Sequence, residues 1–304
     1  MKILISGGSG FIGTALTEQL LAENNDVVML TRKQGKGKIE HPGLRYVQWD
    51  GATLGEWAHE VDGADAIVNF AGELIAGKRW SATQKRLILE SRVNATRVLV
   101  SAIRQASKKP SVLVSASAVG YYGDVKSGKI SESALKGSGF LADVCEQWEQ
   151  ASKPATSLGV RVVNPRIGVV LEENGGALPK LLLPFKMGFG GWMGSGAQWF
   201  PWIHRDDVVN AITYSIKNSS IEGAVNLAAP ESVSMKEFCC VLGKVLHRPA
   251  WAPVPGFVLK IALGEMSEML LTGQNVVPKK LLDNGYTFLY LKLFDALSSI
   301  VGKK

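Results

Sequence analysis

Met1-Lys2-Ile3-Leu4-Ile5-Ser6-Gly7-Gly8-Ser9-Gly10-Phe11-Ile12-Gly13 opens the chain. Lys2-Ile3-Leu4-Ile5-Ser6 is an apolar run with the length of a buried strand. Glycines spaced Gly7-x-x-Gly10-x-x-Gly13 follow without a break. Residues 14–23 are amphipathic, and Val27-Val28-Met29-Leu30 is a second apolar run that ends at Thr31-Arg32-Lys33. Strand, glycine loop, helix and strand make one βαβ unit of the kind that holds a dinucleotide. Gly7 permits the tight turn, Gly10 lets backbone approach a pyrophosphate, and Gly13 lets the helix pack close on the strand. The helix N-terminus favours the anion. Gly7, Ser9, Gly10, Phe11, Ile12 and Gly13 are therefore the expected cradle.

The tip of the second strand selects among dinucleotides. A free ribose 2′-hydroxyl usually meets an Asp or Glu there, roughly twenty residues past the glycines. Here the chain has Thr31-Arg32-Lys33. A guanidinium matches a phosphate in fork geometry, where an acid would repel it. The reading is NADP(H), with Arg32 on the 2′-phosphate, Lys33 assisting and Thr31 beside them. A solvated basic turn is the plain alternative.

Further strands follow at residues 44–49, 64–72, 110–117 and 159–171, with another at 223–228. The third ends at Asp50, before Gly51, where a turn role suits it. The fourth ends in Asn69-Phe70-Ala71-Gly72, and small residues at a strand's C-terminal edge let a cofactor's sugar lie on the backbone. Asn69, Ala71 and Gly72 are candidate cofactor contacts. Ser81-Ala82-Thr83-Gln84 is a capping box opening a helix over residues 82–107, in which Ser91, Arg92 and Asn94 stand where a cofactor passes. Arg92 joins the candidate set, with helix surface as the alternative. The fifth strand's tip gathers Ser115, Ser117, Tyr121 and Tyr122, and chemistry in an open α/β sheet sits outside such tips. Either phenol is a candidate proton donor. Pro165 and Arg166 lie where the sixth strand would pass a nicotinamide, Arg166 serving a ligand or an internal salt bridge. Residues 188–196, Gly-Phe-Gly-Gly-Trp-Met-Gly-Ser-Gly, read as a mobile loop able to lid a pocket. Asp206 or Asp207 is placed to cap a helix over 208–216, and His204 reads as a packed, bonded histidine before it reads as a base. Ser234-Met235-Lys236-Glu237 is a second capping box, and residues 257–272 read as one apolar helix.

Composition narrows the classes. The chain has 304 residues, 46% hydrophobic and 20% charged, with a net charge of +7. Its basic residues fall in small groups with no nucleic-acid motif, so no nucleic-acid partner is expected. No apolar run spans a bilayer, so no membrane partner is expected either. Because the first strand starts at Lys2, no targeting peptide is expected, and the location reads as cytoplasmic. Cys145, Cys239 and Cys240 form no metal or disulfide pattern, the four histidines are scattered, and no metal is expected.

Several stretches together resemble the atypical extended short-chain dehydrogenase/reductases, often called the epimerase family with a C-terminal domain of unknown function, some members of which are labelled cell-division-inhibitor-like. They are Gly7-Gly8-Ser9-Gly10-Phe11-Ile12-Gly13, Leu30-Thr31-Arg32, Gly77-Lys78-Arg79-Trp80-Ser81, Ser91-Arg92-Val93, Gly139-Phe140-Leu141, Pro201-Trp202-Ile203-His204, and residues 115–123 and 264–274. The resemblance implies Asp50 beside the adenine and Ser117 as a substrate-polarising serine. It also exposes a departure. Extended dehydrogenases carry Tyr-x-x-x-Lys on the next helix, where Phe140 or Leu141 and Val144 or Cys145 stand here. Tyr121 or Tyr122 is the expected substitute, with Cys145 and Asp143 as the alternatives.

The expectation is an α/β protein: a Rossmann-type, doubly wound parallel sheet with a small C-terminal α+β substrate lobe. Residues 1–170 hold NADP, with the sheet completed by about 203–228, and residues 171–304 cap a substrate. The chain reads as an NADP(H)-binding oxidoreductase or epimerase acting on a small polar, sugar-like substrate, as monomer or homodimer. The alternative is a non-catalytic NADP(H) sensor.

Overall fold

The computed structural model describes residues 1–32 and 39–302. Lys33 lies outside the described residues. In chain order the elements are β1 (Lys2–Ser6), α1 (Phe11–Ala22), β2 (Asp26–Thr31), β3 (Leu44–Gln48), β4 (Ala66–Asn69) and α2 (Ala82–Gln105). Next come β5 (Val112–Ser115), β6 (Ser117–Ala118), α3 (Phe140–Ser152), β7 (Arg161–Ile167), β8 (Val169–Leu171) and α4 (Leu178–Lys186). The remainder is β9 (Trp199–Phe200), β10 (Trp202–His204), α5 (Arg205–Lys217), β11 (Gly223–Leu227), β12 (Val233–Ser234), α6 (Met235–Leu246), α7 (Gly256–Leu263), α8 (Glu268–Leu271), α9 (Lys279–Asp283) and α10 (Leu293–Val301).

One parallel sheet runs β11-β7-β5-β4-β1-β2-β3, with β6 also on β7. Alternation of side chains across β1 supplies both layers. Ile3 and Ile5 pack with Leu16 and Leu20 of α1 and Val208 and Ile212 of α5. Leu4 faces the other way, into a cluster with Leu99 and Ile103 of α2. Each such side chain, fully buried, contributes about 1.5–3 kcal/mol. A third cluster joins α4, α6 and α10 around Trp202 and Phe238.

Both serines cap their helices: Ser81 Oγ accepts from Gln84 N at 3.2 Å, and Ser234 Oγ from Glu237 N at 3.1 Å. Four expectations are corrected. The first helix starts at Phe11, because Gly10 is its cap. The sixth strand breaks at Gly168, and β8 leaves the sheet to pair with β10. A Cβ on Gly168 would fall on the Pro201 carbonyl oxygen. The apolar helix at 257–272 splits at Gly264, whose φ of +62° ends α7. Neither aspartate caps α5: His204 does, accepting from Asp206 N at 3.1 Å, and its ring stacks on Tyr290. The Asp207 carboxylate instead accepts from Leu289 N at 2.7 Å and Tyr290 N at 3.0 Å, holding the C-terminal segment.

Candidate functional site

The glycine loop stands where the strand order reverses, because β1 pairs with β2 on one side and β4 on the other. Gly7, at φ +71°, turns so close to β4 that a Cβ would lie 2.7 Å from the Phe70 carbonyl carbon. A Cβ on Gly13 would overlap the Gly7 carbonyl oxygen and sit 2.6 Å from Gly8 Cα. Gly10 differs: a Cβ there would meet only Gly7 O, at 3.1 Å. Gly10 caps α1 with no side-chain bond, and no acid stands in the first turn. The helix thus presents its first N–H groups to the crevice uncapped, with Ser9 and Gly10 exposed. The chemistry and the space fit a pyrophosphate. Phe11 packs against Gly175 and Gly176, where a Cβ would strike its ring. That contact had no sequence signal beyond the Gly-Gly pair. Half-buried Ile12 packs against the core.

Thr31 ends β2, and Arg32 follows it exposed, with no ion pair among the described residues. Asp50 serves its own turn. Its carboxylate accepts from Thr53 Oγ1 at 2.5 Å and from Thr53 N and Ala52 N at 2.8 Å, and these bonds hold its pKa down to about 2. Asn69 knots the strand tips: its Oδ1 accepts from Ser6 Oγ at 2.6 Å and Ala71 N at 3.1 Å, and its Nδ2 donates to Thr96 Oγ1 at 2.9 Å. It therefore shapes the crevice with its own bonds already made. Gly72 makes room for Arg92, since a Cβ there would lie 3.0 Å from Cζ. Pro165 is buried within β7, opposite Val225.

Two of the three catalytic candidates, Ser117 and Tyr122, spend their hydroxyls on internal partners, while half-buried Tyr121 is engaged through its ring. Ser117 Oγ donates to Glu149 Oε1 at 2.6 Å. Arg166 grips the same carboxylate in a fork, Nε to Oε1 at 2.8 Å and Nη2 to Oε2 at 2.9 Å. Its Nη1 donates to the Tyr122 hydroxyl at 3.0 Å, which donates to Asn226 Oδ1 at 2.6 Å. The guanidinium lies 3.4 Å over the centre of the Tyr121 ring. Burial lowers the Arg166 pKa, but the bonds and charge of Glu149 more than restore it, and the net shift is upward. Burial raises the Tyr122 phenol, against the pull of Arg166. This chain of bonds underlies the strand tips, and Arg166 takes the salt-bridge alternative. Sequence reasoning missed Glu149, which stands one turn beyond Cys145 on a helix read only for its missing tyrosine.

Next to the strand tips is a cavity of about 210 Å³. Leu141, Val144, Cys145 and Trp148 of α3 form one wall; Ile167, Gly168 and Val169, at the break between β7 and β8, form another. Phe200, Met235 and Met269 add apolar surface, while Thr272 and Gln274 add polar groups. Ser117, Tyr121 and Tyr122 are not among its lining residues. Of the two registers open for the absent pair, Leu141 and Cys145 both face the cavity, whereas the Phe140 ring packs on Trp80 with centroids 5.0 Å apart. Burial pushes the Cys145 thiol up to about 11, so it is held neutral.

The lid expectation is also corrected. Residues 188–196 are pinned to residues 250–254 by bonds from Trp251 N to Gly190 O and Val254 N to Trp192 O, both 2.8 Å, and they do not line the cavity. The cover is residues 264–274. Gln198 Nε2 donates to Leu270 O at 2.7 Å, and Lys85 Nζ meets Glu265 Oε2 at 2.6 Å. A Cβ on Gly273 would fall on the Trp199 carbonyl oxygen. Among the described residues no His/Cys/Asp/Glu group could hold a metal, and no helix is long and apolar enough to cross a membrane.

A parallel sheet with an uncapped glycine turn at its reversal point defines a dinucleotide-binding protein of the Rossmann class. The profile of the NAD dependent epimerase/dehydratase family matches residues 3–228, and that of a domain of unknown function, DUF1731, matches residues 254–300. The chain belongs to the NAD dependent epimerase/dehydratase family. An Arabidopsis thaliana relative, "Epimerase family protein SDR39U1 homolog, chloroplastic", is 42% identical over 99% of this chain and 87% of its own length. "Epimerase family protein YfhF" of Bacillus subtilis is 39% identical over 100% and 99%. The crystal structure of human epimerase family protein SDR39U1 (isoform 2) with NADPH superposes with a TM-score of 0.91 at 36% identity, covering 100% of both chains.

Proposed function

We propose that this chain binds NADP(H) across the crevice between β1 and β4 and that the adjoining cavity holds a small molecule for oxidation or reduction. The uncapped glycine N-terminus of α1, opening beside a covered cavity at the strand tips, carries this reading. The human relative crystallised with NADPH supports it. In this reading Gly7, Ser9, Gly10, Phe11, Ile12 and Gly13 bound the pyrophosphate, and Arg32 receives the 2′-phosphate. Residues 1–170 with 203–228 carry the cofactor, and the rest of the chain covers the cavity. The cofactor supplies hydride chemistry; the apolar walls exclude water from it.

The test is a titration of NADPH and NADH by nicotinamide fluorescence. Wild type should favour NADPH, and Arg32→Asp should weaken NADPH at least tenfold while sparing NADH. Equal losses, or a wild-type preference for NADH, refute the assignment. A second reading, a cofactor sensor without turnover, is favoured by Leu141 and Cys145 standing where a tyrosine and lysine would act. NADPH oxidation against a panel of carbonyl compounds and nucleotide sugars separates the two.

A further inference from the structure

The chain buries two arginines near the strand tips and treats them differently. Arg166 has a forked carboxylate partner, Glu149. Arg92, only 7% exposed, has none: among the described residues it makes no ion pair. Its Nη1 donates to Ile88 O at 2.9 Å, within its own helix. Its Nε is sealed from solvent without a partner, as is Nε1 of Trp148, the ring it lies over at 5.1 Å. Nη2 donates to nothing among the described residues. Burial draws the Arg92 pKa down to about 10, with only partial recovery from Cys145 and Glu73.

Arg92 is also the single charged residue lining the 210 Å³ cavity. A buried cation with no carboxylate in ion-pair contact is costly, and an arriving anion relieves that cost. A guanidinium whose Nη2 donates to nothing among the described residues has a donor left for a carboxylate. Most of the other lining side chains are apolar, Leu141, Val144, Met235 and Met269 among them. The volume, about 210 Å³, falls below the roughly 300–1,000 Å³ of pockets for drug-sized ligands and suits a small acid.

Resting on the reading of this cavity as the substrate site, we propose that Arg92 anchors the carboxylate of a small, otherwise apolar substrate. The apolar body of that acid lies against Leu141, Val144, Met235 and Met269. Arg92, placed from the sequence on the cofactor, thereby becomes a specificity residue for the substrate.

The experiment uses the full chain saturated with NADPH, with tryptophan fluorescence and calorimetry as readouts. Benzoate and 3-phenylpropionate are titrated against benzamide and 3-phenylpropionamide, with UDP-glucose as a further arm. Wild type should bind at least one acid saturably and tenfold or more tighter than its amide. Arg92→Gln should erase that preference while changing NADPH affinity less than threefold, and Arg92→Lys should keep part of it. Should neither variant fold, the wild-type comparison of acid with amide still decides. Equal binding of acid and amide, no saturable binding of either acid, or UDP-glucose displacing the acids overturns the proposal. So does an Arg92→Gln variant that loses NADPH affinity but keeps the acid preference, which would return Arg92 to the cofactor. Failure to bind NADPH at all refutes the cofactor reading instead, and it is seen separately.

Discussion

Replacing Arg166 by Met should test whether the bonded chain beneath the strand tips is structural. The Arg166 side chain is 5% exposed and that of Glu149 is 14% exposed, so each charge depends on the other. Removing one partner of such a pair costs about 3–5 kcal/mol, because the other is left buried and unpaired. Arg166→Met should cost that much, and Glu149→Leu a similar amount. The double variant removes both charges. It orphans only the Ser117 hydroxyl and one side of the Tyr122 hydroxyl, at about 1–3 kcal/mol each. It should therefore cost about 2–6 kcal/mol, below the 6–10 kcal/mol sum of the single changes. Urea unfolding followed by tryptophan fluorescence gives all three values on one scale. A single change costing under about 1 kcal/mol, or a double variant equal to the sum, would refute the reasoning.

Three shorter tests address other residues. Gly10→Ala should unfold cooperatively, about 1 kcal/mol below wild type as expected for a poorer helix cap, yet lose NADPH affinity in fluorescence titration; Gly13→Ala, which overlaps backbone, should lose several-fold more stability. Unchanged NADPH binding by the Gly10 variant would displace the pyrophosphate from that loop. Cys145, buried and with its thiol raised to about 11, should alkylate far more slowly at pH 8 than half-exposed Cys240, as peptide mass spectrometry can read; rapid labelling of Cys145 would mean that the cover opens freely. Asp50 has a folded pKa near 2 against an ordinary 3.8, so its contribution is full above that ordinary value and is lost as pH falls through about 2. The stability gap between wild type and Asp50→Asn should accordingly shrink from pH 5 to pH 2, and a constant gap would contradict the bonds drawn for Asp50.

Much of the first half was legible because it is local. Lys2-Ile3-Leu4-Ile5-Ser6 and the glycine spacing fix a strand and a turn within a dozen residues, and Ser81 with Gln84 states its own helix start. The site was harder, because its partners lie far apart in the chain. Ser117 and Tyr122 carry the right hydroxyls, but Glu149 and Asn226, which consume them, are visible only after α3 packs beside β6 and β11 joins the sheet. Arg92 stands out only in the folded chain, where it is buried with no ion pair among the described residues. The lid was misplaced for a related reason. Glycine and aromatic content made residues 188–196 look free, while their pairing with residues 250–254 is long-range.

The packing of Leu281, Tyr286 and Phe288 into the same cluster as Ile3 and Leu16 has a consequence for how the molecule comes into being. Two family profiles divide the chain, yet its opening strand and its closing segment share one interior, so neither part is an autonomous unit. A chain growing from its N-terminus can lay down all eight sheet strands by Leu227 and still leave that interior open to water. Until residues 281–290 emerge, the Asp207 carboxylate lacks the two backbone donors that hold it. Vectorial synthesis therefore ends with a sealing step, and a chain stopped short of Phe288 would expose the core beneath its own nucleotide crevice.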